Sequence, residues 1–231
     1  MVASREHGGT GKNSPMIAEP VQGRAGIKWR TIRNIIWMMV LSIAIGLIGW
    51  RMFNPRQPPP TAKQLGQALV RSDFRLIDHL GQKVVAENYF GKWQLVFFGY
   101  TFCPDVCPTT LSIISQAMEI LGEGADKVVP LFISVDPDRD TPEVLAKYVQ
   151  AFGSRMVGLT GTPEQVSAAA QAFRIFYSKV PQKGLPDGYL MGHSGFIYLM
   201  TPDGTYEASF SHERDTSETI AAAIKMRLKT P

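Results

Sequence analysis

Two cysteines carry the most reactive chemistry in this sequence. Cys103 and Cys107 are its only thiols, and three residues separate them. They follow an apolar run at residues 94–100 and precede apolar residues at helical spacing, which predicts a strand, a turn and then a helix. The helical residues are Leu111, Ile114, Met118 and Leu121. Both thiols should therefore lie near a helix N-terminus, which stabilises the thiolate, the form that attacks disulfides and binds soft metals.

The cysteine pair permits more than one kind of chemistry. A structural disulfide or two buried thiols is the plainest interpretation. However, a chain of 231 residues can build a hydrophobic core without a covalent link. Closing so short a loop also contributes little chain entropy. The pattern therefore favours either a redox couple that cycles between dithiol and disulfide or a soft-metal site.

The elements around the thiols follow an α/β plan. Strand followed by helix occurs twice in succession, which predicts parallel strands joined by right-handed crossovers. We predict a thioredoxin-like domain with an N-terminal β-hairpin and an irregular segment at residues 181–192. The predicted strands are 74–78, 83–85, 94–100, 128–135, 156–159, 194–200 and 205–210, and the later helices begin at Thr141-Pro142, at Thr162 and at Thr216.

An uncharged apolar run near the N-terminus predicts a single transmembrane helix over residues 35–53. Residues 35–50 carry no charge, and the run to residue 53 approaches the roughly 20 residues that cross a bilayer. A cleaved signal peptide is less consistent, because no small-x-small site precedes Arg51. A buried core helix is also less consistent, because Trp37 and Trp50 stand near the two ends, as in an interfacial belt.

The flanking segments define the remaining organisation. Residues 1–34 are predicted to be a disordered tail on the cytoplasmic side, since a short tail stays inside more easily than it crosses. Residues 54–66 form a Pro-rich linker, and residues 67–231 form the predicted thioredoxin-like domain. We expect a bacterial inner membrane with this domain in the periplasm. A mitochondrial inner membrane is the alternative, which Glu6 and Glu19 in the tail disfavour.

The charge distribution argues against a nucleic-acid-binding function. The formal net charge is +4, but six basic residues precede residue 35. From residue 57 onward the chain has 16 Lys and Arg against 18 Asp and Glu. The predicted domain is therefore close to neutral and offers no basic surface.

His193 is the third candidate site residue. A thioredoxin-type reductase has two residues between its cysteines and a proline before the first strand of the C-terminal hairpin. This chain has three residues between the cysteines and Gly192-His193-Ser194 before that strand. In this fold the loop lies beside the cysteine corner, so His193 should face both thiols. Two thiolates and an imidazole suit copper better than a hard cation, whereas a structural zinc site usually has four protein ligands.

Other residues with polar or metal-binding side chains are interpreted as structural. Single histidines are more often hydrogen-bonded than ligating, and aspartates near prolines serve turns and helix caps. These residues are His7 in the tail, His79 and His212 at the surface, Asp136, Asp138 and Asp140 in a turn, and Met191 in packing.

Three separated motifs resemble the Sco/SenC family, membrane-tethered copper chaperones of cytochrome c oxidase assembly. They are YTFCPDVCP at residues 100–108, ISVDPDRDTP at 133–142 and GHS at 192–194. The resemblance runs from about Phe74 to the C-terminus. It implies a thioredoxin-like domain in which Cys103, Cys107 and His193 bind copper. It also implies that Asp136, or else Asp138, affects copper delivery or redox behaviour without ligating the ion.

The expected function is therefore copper binding and delivery to the binuclear copper site of cytochrome c oxidase subunit II. Thiol-reducing or copper-donor proteins are possible further partners. The alternative is an enzyme, a thiol-disulfide reductase that keeps the copper-site cysteines of the oxidase reduced and in which Cys103 or Cys107 attacks the target disulfide. A peroxidase-like function of the fold is a third hypothesis, with less support from the sequence than the other two.

Overall fold

The computed structural model describes residues 28–53, 70–184 and 188–229. These residues belong to two separate units, an N-terminal helix and a folded domain. Most of the predicted tail and the whole predicted linker at 54–66 lie outside the described residues.

The first unit contains one helix, α1, Trp29–Phe53. It is long and apolar enough to cross a membrane, and none of its residues is buried inside protein. Its 25 residues span about 37 Å at the usual helical rise, and the hydrocarbon core of a bilayer is about 30 Å thick. The helix begins six residues before the apolar run, because the intervening residues include good helix formers such as Arg30 and Arg33 and no Gly or Pro.

The second unit has nine strands and four α-helices in its described residues, with two short 3₁₀ helices at Ala86–Tyr89 and Gly122–Lys127. The strands are β1 Arg75–Asp78, β2 Lys83–Val85, β3 Trp93–Gly99, β4 Val128–Ser134, β5 Val157–Thr160, β6 Tyr177–Pro181, β7 Tyr189–His193, β8 Phe196–Met200 and β9 Tyr206–Ser211. The helices are α2 Val106–Leu121, α3 Pro142–Gln150, α4 Pro163–Ala172 and α5 Ser217–Lys229.

Seven of the strands form one mixed sheet in the order β2-β1-β5-β4-β3-β8-β9. Strands β3, β4 and β5 are parallel, and the other neighbours are antiparallel. Six of the seven residues of β3 are buried, which explains its apolar run from Leu95 to Gly99. The predicted thioredoxin-like α/β fold and the N-terminal hairpin β1–β2 are confirmed.

The spacing of apolar residues predicted a helix after the cysteines, and α2 is that helix. Its predicted stripe residues are buried, and the helix packs against α5. Pro108 is its third residue. This position is still tolerated, because the first four N–H groups of a helix have no intrahelical partner.

The prediction of irregular chain at 181–192 is wrong for residue 181 and residues 189–192, which belong to strands, whereas the described residues between the two strands are not in strands. Strands β6 and β7 pair in a second, two-stranded sheet, with Tyr177 opposite His193 and Pro181 opposite Tyr189. Gly184 and Gly188, which lie between the two strands, have φ angles of 89° and 74°, a backbone conformation that glycine adopts readily. His193 is consequently the last residue of a strand.

Candidate metal centre

The two thiols lie where β3 passes into α2. Cys107 is the second residue of the helix and is fully buried. Cys103 lies in the preceding loop and is half-buried. The backbone N–H of Cys107 donates to Cys103 Sγ over 3.4 Å, so the helix N-terminus supplies a hydrogen bond to this sulfur.

The imidazole of His193 approaches the thiols from β7. Its Nε2 lies 3.5 Å from Cys107 Sγ, and its Nδ1 lies 3.1 Å from the carbonyl oxygen of Ser194. The tautomer with the proton on Nδ1 donates to that carbonyl and leaves the Nε2 lone pair facing the sulfurs, which is the arrangement that metal-binding histidines use. The rings of Phe97 and Tyr100 pack around the imidazole at centroid distances of 6.1 and 5.9 Å.

The three potential ligand atoms form a compact group. The two sulfurs and a ring nitrogen of His193 all lie within 4.8 Å of one another. Among the described residues, this is the only group of three or more Cys, His, Asp or Glu side chains that satisfies this distance. Cys103 and His193 line a shallow cleft whose walls include Pro104 and Met191, so these two ligand residues are accessible from solvent, whereas Cys107 lies buried behind them. His193 therefore lies beside both cysteines, as the sequence predicted.

The pKa values of the two thiols are shifted in opposite directions. The Cys107 thiol donates to Cys103, so the pKa of Cys103 falls to about 3 although burial opposes the shift. The same hydrogen bond and deeper burial raise the pKa of Cys107. The pair therefore holds one shared proton with the negative charge mainly on Cys103. A metal that binds both sulfurs must displace that proton.

Asp140 supports the start of the cysteine loop, a role that the sequence did not predict. Its buried carboxylate accepts hydrogen bonds from the N–H of Thr101 at 3.0 Å, the hydroxyl of Thr101 at 2.6 Å and the hydroxyl of Ser134 at 2.5 Å. Burial raises the pKa of Asp140. No local pattern signals this contact, because Thr101 and Asp140 are 39 residues apart.

The structure distinguishes the other two aspartates of the same loop. Asp136 is buried, forms an ion pair with Arg139 Nε at 2.5 Å and accepts a hydrogen bond from the hydroxyl of Tyr189 at 2.9 Å. Asp138 is exposed and forms an ion pair with Lys179 at 2.6 Å. Neither carboxylate belongs to the group of potential ligands.

The other candidate side chains lie outside this group. His79 and His212 are half-buried rather than at the surface as predicted. The Nδ1 atom of His79 accepts a hydrogen bond from the N–H of Gly158, so this residue supports the fold. Met191 is buried, which agrees with a packing role.

Comparison with known proteins assigns the chain to a family. Its fold and its compact Cys–Cys–His group define a thioredoxin-like protein with a candidate metal centre. The SCO1/SenC family model matches residues 62–229, and the chain belongs to this family. It is 39% identical to the protein sco1 of Schizosaccharomyces pombe over 205 residues, which cover 85% of this chain and 77% of that protein.

Solved structures of relatives support the same assignment. ScoI of Bradyrhizobium japonicum with copper bound is 41% identical, with a TM-score of 0.63, and the match covers 68% of this chain and 98% of that one. ScoI of Arabidopsis thaliana with copper bound is 32% identical, with a TM-score of 0.65, and the match covers 70% and 99%. The Sco family is a family of cytochrome c oxidase assembly proteins that includes copper-binding members.

Proposed function

We propose that this protein binds one copper ion through Cys103, Cys107 and His193. The observation that carries the proposal is the approach of three soft or borderline ligand atoms to within 4.8 Å of one another. Thiolate and imidazole ligands suit copper in either oxidation state. The copper-bound structures of homologous proteins support this choice of metal.

We further propose that the protein delivers this copper to the binuclear site of cytochrome c oxidase subunit II. The family's association with oxidase assembly supports this acceptor. A site with three protein ligands at an open cleft leaves an approach for a ligand of the acceptor. A copper-donor protein would load the site before transfer.

We propose that α1 anchors the protein in a bacterial inner membrane, with the copper-binding domain in the periplasm. The length and exposure of α1 support an anchor. Protease added to intact spheroplasts should digest the domain and leave α1 in the membrane pellet. Protection of the domain until the membrane is opened would contradict this orientation.

A second candidate function is reduction of the disulfide in the oxidase copper site. The half-buried thiolate of Cys103, whose pKa is lowered, favours this candidate. Cys103 would attack one target sulfur, forming a mixed disulfide and releasing the other target sulfur as a thiolate. Cys107, losing its proton, would then attack Cys103 Sγ and release the second target thiolate. The target gains two electrons, and a thiol-reducing protein must reduce the resulting Cys103–Cys107 disulfide.

Copper stoichiometry tests the proposed site. The full chain, purified in detergent with reduced thiols, should bind one equivalent of Cu(I) in competition with a chromogenic chelator. His193→Ala should bind markedly more weakly, whereas the control His79→Asn should bind as the wild type does. Equal copper affinity in the His193→Ala variant and the wild type would refute the site.

A transfer experiment separates the two functions. The copper-loaded chain is mixed with the reduced, copper-free domain of subunit II, and the visible absorption of the binuclear site is followed. The copper-free chain is mixed in parallel with the disulfide form of that domain, and free thiols are counted. Delivery predicts copper transfer that requires His193. Reduction of the target by His193→Ala at the wild-type rate, with no copper transfer from the wild type, would favour the reductase.

A further inference from the structure

Strand β7 carries His193, but no backbone pairing joins this strand to the main sheet. In the described part of the chain, β7 pairs with β6 alone, and these two strands form a separate sheet. The position of the imidazole therefore depends on side-chain contacts between the β6–β7 hairpin and the rest of the domain.

Alternation along β7 shows which side chains make these contacts. Successive residues of a strand point to opposite faces, so Tyr189, Met191 and His193 share one face. Met191 is buried and Gly192 is exposed, so this shared face is turned toward the domain. Met191 packs in the core. Tyr189 holds the other end of the strand.

Arg139 joins Tyr189 to the cysteine loop. Its guanidinium carbon lies 3.9 Å from the ring centroid of Tyr189 and 4.9 Å from that of Phe102, the residue before Cys103. Its Nη1 also donates to the backbone carbonyl of Tyr189 over 3.3 Å. One planar cation thus contacts both the strand that carries His193 and the loop that carries Cys103.

Asp136 fixes the cation and the tyrosine together. The carboxylate pairs with Arg139 through one oxygen at 2.5 Å and accepts the Tyr189 hydroxyl through the other at 2.9 Å. The Arg139 side chain is only 13% exposed and that of Asp136 is 0% exposed, so this pair is poorly screened by water. We call Arg139, Asp136, Tyr189 and Phe102 the guanidinium clamp.

We propose that Arg139 is a positioning residue that, through Tyr189, sets the distance between His193 and the two thiols. This inference rests on the proposed function, because it concerns the third ligand of the proposed copper site. Without Arg139, the buried Met191 still holds the middle of the strand, so the hairpin should remain attached while His193 becomes less well placed.

Copper affinity measured in two backgrounds tests this role. Arg139→Ala should weaken Cu(I) binding about 10–100-fold, the usual effect of losing a group that orients a ligand. In a His193→Ala background the same change should weaken binding by less than about twofold, because the residue through which Arg139 acts is gone. An equal loss in both backgrounds would overturn the proposal, since Arg139 would then act independently of His193.

Two further variants make the test specific. Arg139→Lys keeps the charge beside Asp136 but loses the planar contact with the rings, and we expect it to bind copper as weakly as Arg139→Ala. If Arg139→Lys kept the full Cu(I) affinity of the wild type, the proposed role of the guanidinium clamp would be overturned. Arg155→Ala, which removes an exposed ion pair with Asp126, is the matched control and should bind copper normally.

A copper-free measurement separates this proposal from the proposed function. Long-range proton–nitrogen NMR spectra of the apo chain report the tautomer and environment of the His193 ring, with His79 as an internal reference. Arg139→Ala should shift the His193 signals and leave those of His79 unchanged, and unchanged His193 signals would overturn the proposal. If the wild type binds no copper, the proposed function fails and these spectra still decide the role of Arg139. If Arg139→Ala does not fold, Phe102→Leu tests the same contact from the exposed loop.

Discussion

Replacing Gly99 with alanine should disturb the buried thiol directly. A Cβ atom at this last residue of β3 would lie 2.8 Å from Cys107 Sγ, 2.8 Å from Cε2 of Phe132 and 3.1 Å from Cε1 of Phe97. Ordinary contact for a Cβ atom begins at 3.4 Å, so the sulfur, the ring or the strand must move by about 0.6 Å. All three neighbouring side chains are fully buried, so none can swing away into solvent.

The size of the disturbance predicts both a stability loss and a binding loss. Overpacking of this kind costs about 1–3 kcal/mol, which lowers the unfolding midpoint of a domain this size by roughly 2–12 °C. A ligand site tolerates displacements of only about 0.5 Å, so Cu(I) affinity should also fall. Thermal unfolding of the reduced apo chain, followed by circular dichroism, and a Cu(I) competition titration measure the two effects.

Gly195 provides the matched control. A Cβ atom there would meet nothing closer than His212, at 3.9 Å, and Gly195 is near His193 in the chain. Gly195→Ala should therefore change neither the midpoint nor the copper affinity. The packing argument fails if Gly99→Ala behaves like the wild type, or if both alanine variants lose the same stability.

Three other predictions concern the acidic loop and the thiols. Asp136→Ala should destabilise the fold by about 3–5 kcal/mol, because it removes the buried carboxylate that pairs with the largely buried Arg139. Asp138→Ala should leave denaturant midpoint and copper affinity unchanged, and equal effects of the two changes would contradict this contrast. Because burial raises the folded pKa of Asp140, its protonated form is favoured by folding, and stability should fall as pH rises from the ordinary aspartate range through the raised value. Urea titrations should show this slope weakened in Asp140→Asn, and an identical slope would refute it. Iodoacetamide should modify Cys103 of the apo chain at a nearly constant rate down to about pH 5, as measured by mass spectrometry. In Cys107→Ala the rate should begin to fall at a higher pH, because the hydrogen bond from Cys107 is the largest cause of the lowered pKa of Cys103. If the modification rate of the wild-type chain instead decreases as soon as the pH falls below the ordinary thiol pKa, Cys103 is not a preformed thiolate.

The central part of the fold was predictable because its signals are local and strong. Strand β3 is buried along nearly its whole length, so its sequence is apolar from Leu95 to Gly99. Helix α3 begins where Thr141 and Pro142 predicted it, since the threonine hydroxyl accepts the N–H of Val144 and proline suits the first helical position. In both cases a few adjacent residues determine the element.

The β6–β7 hairpin was not predictable in the same way. Its strand residues are mostly exposed or half-buried, so apolar and polar residues do not alternate clearly in its sequence. The position of His193 was predictable from the expected fold, but its support was not. The contact of Arg139 with Tyr189 joins residues 50 positions apart, and a sequence pattern gives no sign of such a pairing.

This difference determines how substitutions should act on the site. Cys107 is held by β3 and the first turn of α2, so its position responds to changes in the core, as at Gly99. His193 is held by a hairpin outside the main sheet, so its position responds to the guanidinium clamp. Core substitutions should therefore lower stability and copper affinity together. Substitutions in the clamp that keep the Arg139–Asp136 ion pair, such as Phe102→Leu, should lower copper affinity with a smaller effect on stability, because the hairpin contributes less to the core than β3 does.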